Sequence, residues 1–184
     1  MQNTSLTYRP IINKAFREEE LKKGLFIAVS HATRIPPHIG LIAGGKYHSL
    51  SIKGQDIDIP LDAFVRNTLI RKIPALFIKI KPHNTFSDSY LREHFITNVQ
   101  QFRRVDVGVA TCLSPIRLFF EEVYNVPMDG INYLYELLPL LESHGLLSDV
   151  SALNLDPAHY SLPVYTLQEI NAGISQVREE YSKQ

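Results

Sequence analysis

The stretch PPHIGLIAGGKYHSLSIKG, residues 36–54, sets two β-rich runs on either side of a glycine pair. Gly44 and Gly45 supply the positive φ angles that a tight hairpin turn demands, so HIGLIAG (38–44) and KYHSLSI (46–52) read as antiparallel neighbours. Each run carries one histidine, and the length of the turn decides what His38 meets. A two-residue turn, Gly44–Gly45, sets His38 opposite Ser51, with Ser49 on the same side of the sheet. A three-residue turn, Gly44 to Lys46, brings His48 to that side instead. Imidazole is the better orienting partner for a second imidazole, which favours His48, with Ser49 and Ser51 as the alternatives.

Outward from this hairpin, the runs 24–30, 56–61 and 74–81 also read as strands, the last two by alternation. Helical signals come later. Residues 87–102 follow Ser87 and Asp88 as capping candidates, and 114–124 tolerates Pro115 in its first turn. A third helix, 131–145, is interrupted at Pro139 and stopped at Gly145, while 166–183 opens with Thr166 and Glu169 in capping-box spacing. Strands first and helices later predict an α+β fold, a sheet packed against helices. No internal repeat or Gly/Ser linker divides the 184 residues, so a single domain spanning 1–184 is expected.

Composition removes several classes of function. Lys plus Arg equals Asp plus Glu, 19 each, and the basic residues occur as separated dipeptides, so no nucleic-acid partner is expected. No run of 18 apolar residues could span a bilayer. The opening MQNTSLTYRPIINKAFREEELKKG lacks an apolar signal core and carries three consecutive glutamates, which predicts a cytoplasmic location. His31, His83, His94, His144 and His159 show no zinc-helix spacing, and AGGK lacks the remaining glycines of a phosphate loop. Neither a metal nor a cofactor is expected.

Cys112 is the only cysteine, which rules out an internal disulfide and a cysteine zinc cluster. It stands in VDVGVATCLSPIRLFFEEVY, where an apolar β-like segment (105–110) gives way to a helix. Unpaired N–H groups at a helix start favour thiolate over thiol and can hold an oxyanion, so a nucleophile with a depressed pKa is one reading. A buried small hydrophobe is the other. As a nucleophile, Cys112 needs a base, and His38 on its rigid strand is the candidate. Phe119, Phe120, Tyr133 and Tyr135 are either groove-lining aromatics or core.

Taken together, these segments resemble the circularly permuted papain-like hydrolases, the group that includes YiiX-like proteins related to the NlpC cell-wall peptidases and lecithin–retinol acyltransferase. The matching elements are His38-Ile39-Gly40-Leu41-Ile42, the turn Gly44-Gly45-Lys46, the strand Tyr47 to Ser51, Gly54, and Pro60-Leu61-Asp62-Ala63-Phe64. TCLSPIRLFFEEVY resembles the family's nucleophile helix, which permutation places after the histidine. Residues from about 126 to 184 have no counterpart in that family and are expected as a C-terminal helical extension serving as a lid or a partner surface, while the resemblance covers about residues 21–125 and implies an antiparallel sheet in permuted order. The resemblance further implies a cysteine hydrolase or acyltransferase acting on an amide or ester of a peptide or lipid, with Cys112 as nucleophile, His38 as base, and His48 or the neighbouring Ser49 as the third residue. A non-catalytic binding module for a lipid or peptide is the alternative under the same resemblance.

Overall fold

The computed structural model describes residues 7–183. In chain order, β1 (Lys14–Ala15) and a 3-10 turn (Glu18–Lys22) lead into four strands: β2 (Leu25–Ser30), β3 (His38–Ala43), β4 (Lys46–Leu50) and β5 (Gln55–Pro60). α1 (Leu61–Ile70), β6 (Ala75–Ile80), α2 (Asp88–Gln100) and α3 (Ser114–Tyr124) come next, then α4 (Leu134–Ser143), β7 (Leu147–Leu153) and α5 (Leu167–Ser182). The strands form one sheet in the order β1-β7-β6-β2-β3-β4-β5. All its pairings are antiparallel except β1–β7, so the sheet is mixed where the family resemblance implied antiparallel.

The hairpin closes through two residues: Ala43 pairs with Lys46, and Gly44 and Gly45 take φ of 56° and 73°. Period-two alternation then sorts β3 into two faces. Ile39, Leu41 and Ala43 pack under α2, α3 and α4 in the larger core, with Phe95, Phe119 and Leu137. Ile42 turns to the other face, where Phe26, Tyr47 and Phe77 meet Leu61 and Val65 of α1. The sheet is therefore covered on both sides, which explains why β2 is buried at every position.

Gly40 lies where the hairpin is tightest. A Cβ there would stand 2.6 Å from both the His48 carbonyl oxygen and the Tyr47 ring. Gly40→Ala is expected to lower stability by about 1–3 kcal/mol, the ordinary cost of overpacking, read as an earlier urea midpoint.

Three segments differ from the sequence expectation. Leu147–Leu153, within the stretch read as a helical extension, is a strand paired with β6 in the main sheet. Its LSDVSAL pattern hides this, because only Val150 is buried. LDAFVRNTLI is a helix, burying Leu61, Val65 and Thr68 at i, i+4, i+7 spacing. The apolar run 105–110 is a tight reversal closed by an Asp106–Ala110 bridge, with Gly108 at φ 69° at its tip. Phe119 and Phe120 are fully buried core, and Tyr133 stacks on Tyr135 at 5.0 Å beside Tyr165. Among the described residues, no helix is long and apolar enough to cross a membrane.

Candidate active site

His38 is the first residue of β3, at the end of the sheet, and it pairs with Ser30 across β2. Cys112 lies two residues before α3, outside the helix proper, whose N-cap is Leu113. The loop from Asp106 to Thr111 and the tight turn into α3 carry the sulfur back to the start of β3. There its thiol donates to the Pro37 carbonyl at 4.0 Å. Cys112 and His38 line one cleft of about 370 Å³, together with Asp56, Ser51, the Ile35–Pro37 loop and one side of α5. Both residues are partly buried.

The imidazole is held from behind. His38 Nε2 lies 3.1 Å from Ser49 Oγ, and Ser49 Oγ donates to Asp56 Oδ2 at 3.0 Å. With the hydroxyl proton committed to the carboxylate, Ser49 accepts from His38, so Nε2 carries the proton and Nδ1 is the basic nitrogen. Nδ1 makes no hydrogen bond among the described residues. Ser49 is 1% exposed, so the middle of this chain is shielded from competing water. The Tyr47 hydroxyl also engages Ser49 and Ser30 and is pushed upward by its burial. Burial lowers the His38 pKa from 6.5 to about 4, partly offset by the Asp56 charge, so the ring is neutral at pH 7.

The sulfur does not follow the expectation of a depressed pKa. Burial pushes the thiol up, and this outweighs the backbone N–H groups of Ile39, Cys112 and Leu113 that pull the other way. The resting pair is thus a neutral thiol and a neutral imidazole. Leu113 N–H donates to Thr111 Oγ1 at 3.2 Å, and Thr111 N–H donates to Ser114 Oγ at 2.9 Å. Cys112's own N–H is thus one of the backbone donors gathered around the sulfur.

His48 is not part of this constellation. The two-residue turn sets it opposite Leu41, on the other face of the sheet from His38, and it is 0% exposed. Its work is structural. Register shifts by one residue between Tyr47 and Ser49, leaving Asp58 bulged at φ 56°. His48 Nδ1 accepts the stranded Asp58 N–H at 3.1 Å, and Arg92 holds the Asp58 carboxylate in a bidentate pair. Ser51 is not the orienting group either: His38 Nε2 meets Ser49, and the Ser51 hydroxyl donates to the Gly54 carbonyl at 3.2 Å.

Asp56 and the α5 side chains were missing from the sequence reading. Asp56 faces Ser49 across β4–β5, a pairing that simple alternation in DIDIPL could not place because the bulge shifts the register. The other histidines stay apart from the cleft, except His31 at its rim. His94 and Asn98 both donate to Glu122 at 2.8 Å, tying α2 to α3. No group of three or more His, Cys, Asp or Glu side chains among the described residues could hold a metal ion. Comparison of the chain with protein-family models, with curated proteins and with solved structures found no match to any of them.

Proposed function

We propose that the protein is a papain-like, permuted cysteine hydrolase or acyltransferase that acts on the amide or ester of a peptide or lipid. The observation that carries this reading is the chain Asp56–Ser49–His38, which fixes one imidazole nitrogen and leaves the other, Nδ1, for the cleft that holds the lone thiol. Cys112 Sγ attacks the acyl carbon as its proton passes to His38 Nδ1. The resulting imidazolium is stabilised through Nε2–H, Ser49 and the Asp56 carboxylate. The tetrahedral oxyanion is held by Cys112 N–H. Collapse expels the alcohol or amine, which takes the proton from Nδ1, and leaves a thioester. Water, or an acceptor hydroxyl or amine, then attacks the thioester with His38 again as base, restoring the free thiol. The cycle needs no cofactor.

Ser49 takes the orienting role assigned from sequence to His48. A hydrogen bond to a charged group contributes about 1.5–3 kcal/mol, so Ser49→Ala is expected to lower kcat by roughly ten- to a hundredfold with KM little changed. His48→Gln should leave kcat near wild type under conditions where the protein stays folded. The reading as a whole is tested by p-nitrophenyl esters of graded acyl length. The wild-type chain is expected to release nitrophenolate and Cys112→Ser to lose that release; equal rates would overturn it.

The thiol bonded to the Pro37 carbonyl, with its raised pKa, favours a second reading: a module that binds in the same cleft without turnover. That reading predicts saturable ester or peptide binding with no thioester at Cys112.

A further inference from the structure

The C-terminal helix supplies one whole side of the cleft. Gly173, Ile174, Gln176, Val177 and Tyr181 of α5 face Cys112 and His38 across it, although they follow the resembling segment by some fifty residues in sequence. The base of α5 is firmly anchored. Thr166 and Glu169 form a reciprocal capping box, and Tyr135 donates to the Tyr165 carbonyl at 2.8 Å just before it. Ile170 and Ile174 are the helix's buried residues and join the main core. Beyond Ile174 the attachment changes character. Arg178 Nη2 pairs with Asp106 Oδ1 at 2.8 Å and donates to the Val105 carbonyl at 3.4 Å, while Lys53 Nζ sits 4.2 Å above the Tyr181 ring. The Arg178 and Asp106 side chains are 33% and 36% exposed, so solvent and salt can weaken that pair. Gly173 permits the close approach: a Cβ there would stand 3.1 Å from Pro36 Cδ on the opposite rim.

We infer that the outer half of α5 is a releasable wall of the cleft, clasped by Arg178 to Asp106, which selects substrates with an apolar group beside the sulfur. This inference rests on the proposed Cys112–His38 chemistry for its meaning, but its geometry is independent of that chemistry. Much of the lining is aliphatic or prolyl, with Ile35, Pro37, Ile52, Val105, Ile174 and Val177 among it, while the charged Arg34, Lys53 and Asp56 also border the cleft. A group set against the aliphatic part is desolvated favourably if it is apolar, whereas a polar one would lose water there for few partners. Substrate entry then requires the Arg178 clasp to yield, and closure excludes water from the attack.

The test is the rate of Cys112 alkylation by iodoacetamide and by the bulkier, apolar N-cyclohexylmaleimide, each normalised to glutathione. Arg178→Ala is expected to speed both reagents by about two- to fivefold, the scale of an exposed ion pair. The charge-swapped chain, Arg178→Asp with Asp106→Arg, should return toward the wild-type rate. Val177→Asp should slow the apolar reagent relative to iodoacetamide by about tenfold, because a carboxylate then lines its seat. In wild-type protein, rising salt should speed alkylation by both reagents. That measurement needs no variant to fold. Rates indifferent to salt, to Arg178→Ala and to the swap would overturn the clasp, and an unchanged reagent preference in Val177→Asp would overturn the apolar wall. Neither result depends on His38: an effect of His38→Ala without an effect of Arg178→Ala removes the wall and keeps the chemistry, and the reverse pattern removes the chemistry and keeps the wall.

Discussion

His38→Ala is expected to abolish a pH-independent plateau in the alkylation of Cys112. The thiol is pushed above its ordinary range by burial, and the imidazole is held down to about 4. Between those limits both groups are neutral, so little preformed thiolate exists. A simple thiol in that state would react in proportion to its thiolate, gaining tenfold per pH unit. With Nδ1 as general base, the sulfur instead loses its proton as it attacks, and the rate stays level from above pH 4 up to the alkaline rise. General-base assistance contributes about 10²–10⁴-fold, so His38→Ala should slow iodoacetamide by that factor near pH 6 and converge with wild type at high pH. An ordinary nucleophilic cysteine with a depressed pKa would give a different profile, a sigmoid with its midpoint well below about 8.5. Identical rising profiles in the two proteins would mean that His38 does not serve the sulfur.

The second large effect concerns stability in acid. Burial lowers the His48 pKa from 6.5 to about 4, only partly opposed by the charge of Asp58, while Arg92 and Lys46 lower it further. The unfolded chain binds this proton below about pH 6.5, whereas the native chain refuses it until about pH 4. The stability that His48 contributes is therefore complete above pH 6.5 and drains away as the pH falls through that window. The span corresponds to about 3 kcal/mol, a large part of the margin of a domain this size. His38 shifts in the same direction and adds to the slope. The Asp58 carboxylate, held low chiefly by Arg92, contributes its own loss at more acid pH. Urea midpoints from pH 7.5 down to pH 4.5 should fall steeply, and His48→Gln, which cannot titrate, should flatten much of the slope. A flat wild-type profile would show that His48 is not held neutral by its surroundings.

The architecture near the hairpin was readable because local rules sufficed there. The glycine pair dictated the turn, β-branched runs marked β2, β3 and β6, and Thr166 with Glu169 marked the start of α5. The site was only half readable. His38 and Cys112 stood out by type and position, but their orienting partner turned on a register that sequence left open. The structure settles that register as the two-residue turn, which exchanges His48 for Ser49. Asp56 was hidden by the bulge at Asp58, a feature set by how His48 and Arg92 satisfy a displaced strand rather than by any local pattern. The sulfur's raised pKa had no local signature either, since it reflects the packing of β3, α3 and α5 around it. Leu147–Leu153 and the α5 wall depend on contacts with residues more than sixty positions away, where periodicity is silent.

Peptide mapping by mass spectrometry, after a brief reaction with an activated apolar ester at pH 6.5, reads the Cys112–His38 chemistry itself. One acyl group is expected as a thioester on Cys112, removed by hydroxylamine and strongly diminished in His38→Ala. Acylation scattered over surface lysines, or an unmodified Cys112 in a protein that binds the ester, would contradict it.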